Sequence, residues 1–404
     1  MSELLVLPII LPLIGGAAAV VVRGSARQSL YLALTIATLH TIAAGLLIYQ
    51  VHTGGIFATQ IGNWPAPFGI TLVADRLSAV MVMITAVINL AVTSYSKADI
   101  GIDLVRRGHY CLLQILVGGD LRRIYNRRHF QPLRLVRSDA DGILRTAGAR
   151  PEQDPIGRWG QICRFFTLVF VIDAAYLNYL LPTLAALTMI TGVLGAAAQN
   201  EFRRILSFHI ISQVGYMVLG LSLQSRLALA GTVFYLVHHI VVKANLFLVS
   251  GVVKQLQGSF ELARLGGIYR SNGWIAALFF IPAFSLAGFP PLSGFWAKMI
   301  LIRASLDSHQ YWLAVIAAVV GLLTVYSMTK IWGEVFWKPA PAANHEADRL
   351  PARSISAWML VPVTALTALT IVIGLGAELV FQFAWQAAEE LSQPAEYVRA
   401  VMKK

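Results

Sequence analysis

The chain has 404 residues, of which 57% are hydrophobic and only 13% charged, with a mean hydropathy of +0.67. Soluble domains carry about a quarter charged residues, so this composition excludes a soluble globular protein and points to an all-α polytopic membrane protein. The formal charge of +12 is no argument for a nucleic-acid partner, because the positive residues sit in loops between apolar stretches, where they set orientation in the bilayer.

Leu4 to Val22 and Ser29 to Val51 are apolar spans joined by R-G-S-A-R. The basic-loop rule puts Arg23 and Arg27 in the cytoplasm and the N-terminus outside. Glu3 stands in place of a basic n-region and no A-x-A site precedes Arg23, so the first span reads as a retained helix. Between His52 and Val73, Gly, Asn and Pro punctuate short β-like runs, which predicts a small hairpin with Trp64 and Phe68 at the outer membrane surface. Asp75-Arg76 opens the third span, Leu77 to Ser96, either as an ion-handling group or, more economically, as an interfacial pair. Lys97, Arg106 and Arg107 return the chain to the cytoplasmic side. Tyr110 to Val117 is apolar but too short to cross alone, since a spanning helix needs about 20 residues.

The character changes from Gly118 to Arg164, which is dense in arginine, contains no lysine and has no clean helical or strand period. Read physically it is a basic surface segment. Cys111 and Cys163 are isolated, so neither a metal site nor a disulfide framework is indicated. Membrane character resumes at Phe165 to Ile172, followed by Tyr176 to Gln199, Ile205 to Leu223, Leu227 to Val253, Trp274 to Ile302, Tyr311 to Phe336 and Ala357 to Leu375, giving about nine or ten transmembrane helices. The loops after Arg204, Lys254 and Lys338 are charged and those at 224–226 and 303–310 are charge-poor, which puts the former in the cytoplasm. Three spans bring the chain inside at Lys97, and Tyr176 must start outside for Arg203 to lie inside. Something between them must therefore cross once: either the Tyr110 segment crosses, poorly, or the second half inverts. From Glu378 an amphipathic interfacial helix follows, ended by Pro394. The chain thus divides at 1–117, 118–164, 165–376 and 377–404.

Two stretches carry chemistry. F-Y-L-V-H-H-I-V-V-K-A-N-L-F-L-V-S-G (Phe234 to Gly251) is long enough to cross a bilayer yet holds His238, His239 and Lys243 near its middle. A titratable group at that depth costs a few kcal/mol and normally faces a protein interior or a water path. His239 and Lys243 are four apart and share one helix face. Downstream, S-L-A-G-F-P-P-L-S-G-F-W-A-K (Ser285 to Lys298) breaks an apolar helix at Pro290-Pro291, with Lys298 just past the break. Broken backbone with a charge beside it is how many transporters build ion sites.

These two stretches, with F-H-I-I-S-Q-V-G-Y-M-V-L-G-L (Phe208 to Leu221), resemble the antiporter-like membrane subunits shared by proton-pumping NADH–quinone oxidoreductases and multisubunit Mrp-type monovalent cation/proton antiporters. The D-type subunits of the Mrp antiporters are the nearest in appearance. The resemblance covers Met1 to about Val117 and about Phe165 onward, and implies an antiporter-like fold with two inverted helix repeats and a midplane file of titratable residues. It makes Lys243 and Lys298 the second-repeat lysines, with His239 and His238 as relay partners. It implies other subunits of a hetero-oligomeric complex, the lipid bilayer, protons and a monovalent cation such as sodium as partners, in a multi-pass protein of the bacterial cell membrane, with no cofactor and no resident metal.

The first repeat departs from the pattern. The family's glutamate helix and the lysine of its first broken helix are absent, so one inverted repeat is retained and the other truncated; Asp173 and Glu201 are the nearest acids left. The codons open to Gln131 to Ile143, read one frame over behind the T-T of a Phe130 codon, can spell F-N-L-Y-V-W-F-E-V-M-L-M-A. That resembles the missing glutamate helix, its Glu straddling the codons of Arg137 and Ser138. A free wobble base becomes the middle base in this frame and makes apolarity easy, but the largely fixed outer bases permit W-F-E in the right order. Gly118 to about Arg150 is therefore expected to be a family helix read in a shifted frame, followed by loss of the next helices near Pro151 to Arg164. Three functions stay open: a component of a cation/proton antiporter, a proton-translocating component of an NADH–quinone oxidoreductase-type complex, or a non-transporting remnant. No G-x-G-x-x-G or Cys cluster marks a redox protein, so the chain reads as a transporter subunit rather than an enzyme.

Overall fold

The computed structural model describes residues 3–61, 70–125, 177–339 and 355–393. Its elements fall into two compact units, Met1–Asp173 with Glu390–Lys404, and Ala174–Glu389. Among the described residues, eight helices are long and apolar enough to cross a membrane.

In the first unit, α1 (Glu3–Val21) packs on α2 (Ala26–Gly54) and on α5 (His109–Tyr125), while α2 packs on α3 (Arg76–Asp99); α4 (Ile102–Arg106) is a short connector. Ser25 caps α2 by accepting the Gln28 N–H, satisfying one of the donors a helix start leaves open. The hairpin read from the Gly/Asn/Pro punctuation is present: β1 (Phe57–Ile61) pairs antiparallel with β2 (Ile70–Ala74), Phe57 opposite Ala74. Trp64 and Phe68 lie outside the described residues. Of the two readings of Asp75-Arg76, the geometry is that of a pair at a helix start. Asp75 accepts the Ser78 N–H at 2.8 Å, Ser78 Oγ accepts the Asp75 N–H at 2.8 Å, and the two close a capping box. Arg76 gives its backbone N–H (3.0 Å) and its guanidinium to Glu390.

The stretch after Tyr110 requires a correction. The helix does not stop at Val117 but runs unbroken through Gly118 to Tyr125, 17 residues that rise about 26 Å. Its inner residues Leu113, Val117, Leu121 and Ile124 recur at helical spacing and are buried, so the period continues past the first arginines. At 17 residues it is shorter than the about 20 that a spanning helix needs.

The second unit begins with α6 (Leu177–Ala198), α7 (Phe202–Ser222) and α8 (Arg226–Gln257). The first two pack backbone to backbone. A Cβ on Gly192 would lie 2.3 Å from the Ser212 nitrogen, and one on Gly215 would lie 2.7 Å from the Met189 nitrogen, so only glycine allows this crossing. Then follow α9 (Ile268–Ser271), α10 (Gly273–Ala287), α11 (Ser293–Asp307) and α12 (Tyr311–Ile331), the last running into a π-helical turn at Trp332–Trp337. The broken helix read from the sequence is thus two 15-residue pieces, neither long enough to cross alone. Lys330 closes the open end of α6 by donating to the Ala197 carbonyl (3.1 Å), the Gln199 carbonyl (2.8 Å) and Asn200 Oδ1 (3.0 Å), a cation where the helix dipole favours one. α13 (Ala357–Leu375) leads to α14 (Ala377–Ser392), the expected amphipathic tail. It is held by Arg226, which pairs with Glu389 and lies 4.7 Å from the centre of the Trp385 ring.

Candidate functional site

The site is built on α8, whose 32 residues are capped by Ser225 at one end and closed at the other by Gly258 in the left-handed region (φ 76°). It has no polar face, because almost every residue from Ala228 to Val253 is buried. Its titratable side chains are therefore placed against neighbouring helices rather than solvent: His239 is fully buried, and His238 and Lys243 are 1% and 2% exposed.

Four-residue spacing sorts these groups. Tyr235, His239 and Lys243 fall at i, i+4 and i+8 on the stripe that faces α7. Tyr235 donates its hydroxyl to Gln213 Oε1, and Lys243 Nζ donates to the Leu206 carbonyl at 3.1 Å. The two helices run antiparallel, so His209 of α7, between Leu206 and Gln213, stands at the level of His239. His238, one residue before His239 and about 100° around the helix, turns instead to α11, where its Nδ1 lies 2.8 Å from Ser293 Oγ.

The break between α10 and α11 positions Lys298. Gly288, in the left-handed region at φ 98°, closes α10: its N–H returns to Ser285 and that of Phe289 to Phe284, the pairing of a Schellman motif. The Ala287 carbonyl would next take the N–H four residues on, but that residue is Pro291 and has none. Lys298 Nζ fills the place, donating to Ala287 O at 3.0 Å, and sits 5.5 Å from the centre of the Tyr216 ring. Ser285 and Ser293 link across the break at 3.0 Å, which ties His238 to the same junction.

The structure thus gathers Lys243, Lys298, His238 and His239 around one interior formed by α7, α8, α10 and α11. It also shows members that the sequence reading did not single out: His209, Gln213, Tyr216, Tyr235 and Ser293. Their signal was present, as polar residues inside apolar spans, but Ser, Thr and Tyr at such places usually satisfy themselves locally and only packing tells the difference. Both ring nitrogens of His209, Nε2 of Gln213 and Nε2 of His238 are buried without a hydrogen-bond partner. Unsatisfied buried polar atoms are rare, and several in one region mark a place for water. Both lysines bond to backbone carbonyls, and among the described residues neither forms an ion pair with a carboxylate. Glu201 pairs with Arg204 at 2.8 Å; Asp173 and Cys163 lie outside the described residues. Among the described residues, no three His, Cys, Asp or Glu side chains are placed so that they could hold a metal ion.

The fold is shared with known proteins. The family described as NADH:quinone oxidoreductase/Mrp antiporter, TM, matches residues 159–324. The chain is 30% identical to the D-type subunit of the Na(+)/H(+) antiporter of Alkalihalophilus pseudofirmus, over an alignment of 508 positions that covers 100% of both chains. It is 25% identical to the protein of the same name in Bacillus subtilis, again covering 100% of both. Among solved structures it superposes on a chain of the Mrp complex from Dietzia sp. DQ12-45-1b with a TM-score of 0.81 at 22% identity, covering 100% of each. On a chain of respiratory complex I from Thermus thermophilus the TM-score is 0.74 at 16% identity, covering 99% and 100%.

Proposed function

Since the chain belongs to the family of D-type Na(+)/H(+) antiporter subunits, multi-pass membrane proteins related in fold to the antiporter-like subunits of complex I, we propose that it is a component of a hetero-oligomeric antiporter exchanging a monovalent cation, sodium, for protons. Protons move through Lys243, His239, His238 and Lys298. The observation that carries this reading is the choice of partners made by the two lysines. A carboxylate would hold each amine charged, whereas a carbonyl accepts a hydrogen bond from an ammonium or a neutral amine alike. Each lysine can therefore lose its proton without losing its position, and its charge is set by its neighbours. His209 joins the path at the level of His239, with water completing the bonds its ring lacks.

Coupled transport is impaired in this chain. The resemblance requires a carboxylate and a lysine from the first repeat, and the alignment with the A. pseudofirmus protein is longer than the chain itself. The missing part falls at 118–164, whose coding strand carries a family helix in a shifted frame. Codons for Arg128 and Arg137 that do not end in A would forbid the shifted acidic residues and end that explanation.

The functional test is cation-driven proton movement in everted vesicles containing the partner subunits. The 404-residue chain is expected to give little or none. Replacing 118–164 by the corresponding stretch of the A. pseudofirmus protein restores it, and Lys243→Ala or Lys298→Ala in that background abolishes it with membrane insertion intact, because removing a buried charge relieves insertion cost. Full transport by the repaired Lys243→Ala protein would reduce Lys243 to a structural lysine.

A further inference from the structure

The first unit holds a polar file that the Lys/His axis of the second unit does not use. His40 is the central residue of the 29-residue α2, and its side chain is fully buried. Neither ring nitrogen has a hydrogen-bond partner. One nitrogen of a neutral imidazole is a donor and the other an acceptor, so an empty surround leaves two unmade bonds at bilayer depth, each a net loss of stability. Histidine is a poor choice there unless something small and polar reaches it.

The packing supplies a route. Asn89, Thr93 and Ser96 recur at i, i+4 and i+7 on α3, all buried, and form one polar stripe inside the bundle. The stripe starts at the end bearing Lys97, where His109 Nε2 of α5 lies 3.4 Å from Ser96 Oγ. Thr93 donates to Asn89 Oδ1 at 3.4 Å, Asn89 to Gln114 Oε1 of α5 at 3.3 Å, and Gln114 to the Ala33 carbonyl of α2 at 3.4 Å. Each of these contacts is longer than the usual 2.9–3.0 Å, so hydrogen-bonding capacity is left over. Ser96, which also donates to the Val92 carbonyl at 2.7 Å, does not bond Thr93, and Gln114 does not bond Thr41 or His40, so water must bridge those two steps. Next to His40 in the chain, Thr41 donates to the Ala37 carbonyl (2.9 Å) and reaches the Ala86 carbonyl of α3 (3.4 Å), one helical turn from Asn89. The helix stretches flanking His40 are lined by Ala33, Ala37, Ala43 and Ala44 of α2 and Ala86 of α3, all buried, which keeps the space around the ring small-walled.

We infer that the first unit contains a second proton-accepting site, His40, hydrated through the file Ser96, Thr93, Asn89 and Gln114 from the end that carries His109. Its ligand is water and the proton that water delivers. A buried water needs two to four polar partners; the imidazole, the remaining valences of Asn89 and Gln114 and the second lone pairs of helix carbonyls provide them. The titratable groups packed around it are few. The stretch of α1 from Leu4 to Val21 has none, and α3 has none between Leu77 and Ser94. α5 carries His109, Tyr110, Cys111, the buried Asp120 and, in its last turn, Arg122, Arg123 and Tyr125. Asp120 is about two turns beyond Gln114, and His40 is about two turns beyond Ala33 on a helix running the same way, so the two stand at one level.

The test uses the full chain in lipid nanodiscs transferred to D2O, with deuterium uptake at the C2 position of each histidine read by mass spectrometry. That exchange needs both water and a protonated ring. His40 is expected to take up deuterium alongside the exposed His52, and Asn89→Leu or Thr93→Val to slow His40 by about tenfold with His52 unchanged, as loss of one buried hydrogen-bonding group implies. No uptake at His40 in the wild-type chain while His52 labels would make it a dry structural residue and overturn the site. Uptake unaffected by either variant would overturn the file. Should one variant fail to insert, the other and the wild-type measurement still decide.

Discussion

Gly294 offers the sharpest test of how the broken helix is built. It sits in the first turn of α11, where a Cβ would lie 1.8 Å from the Ser285 carbonyl oxygen, 2.8 Å from the carbon of that carbonyl and 2.8 Å from His238 Nε2. Carbon atoms prefer about 3.5–4.0 Å, so Gly294→Ala requires the two backbones to part by more than an ångström. Overpacking a close contact costs about 1–3 kcal/mol. The upper end applies because the obstruction is backbone and cannot rotate away. Alanine recovers up to about 1 kcal/mol of helix propensity, leaving a net loss of about 2 kcal/mol. The matched control is Gly45→Ala inside α2, where nothing lies within 4 Å of the added Cβ and only the propensity gain remains. Thermal unfolding of the purified chain in detergent should place Gly294→Ala below wild type and Gly45→Ala at or above it. A Gly294→Ala protein that melts with wild type would show that α10 and α11 do not approach as described.

Two further outcomes follow from individual side chains. Tyr235→Phe deletes the hydroxyl bonded to Gln213 Oε1 and leaves a buried amide with no partner at either end, a loss of about 1–3 kcal/mol that should appear as a lower melting temperature; an unchanged one would mean water replaces the hydroxyl freely. Burial pushes the Glu390 carboxyl above its usual value of 4.5, against the opposing pull of Arg76. The folded protein therefore holds this proton more tightly than the unfolded chain, so the group's contribution to stability is present at low pH and is lost as pH rises through the interval just above 4.5. Melting curves across that interval should show a pH slope for wild type that Glu390→Gln flattens, and equal slopes would refute the assignment.

Much of this architecture is written in one dimension. Apolar length fixes where helices cross, because a bilayer of given thickness accepts nothing shorter or more polar. The hairpin was legible from Gly, Asn and Pro, and the break after Ala287 from two prolines, since those residues act on their own backbone. Lys243, His238, His239 and Lys298 announced themselves by depth alone. The sequence misled at Gly118, where arginines obscured a helical period that burial of Val117, Leu121 and Ile124 carries on to Tyr125. What the sequence does not contain is the choice of partner. That Lys243 meets the Leu206 carbonyl, that Lys298 takes the acceptor Pro291 leaves vacant, that His209 faces the level of His239 and that His40 is buried without a hydrogen-bond partner are facts of helix packing. Local pattern places a side chain on a face. Only the neighbouring helix, brought there by glycine contacts such as Gly192 on Ser212, determines what that face touches, because a hydrogen bond forms over about 3 Å between residues that stand tens of positions apart in the chain.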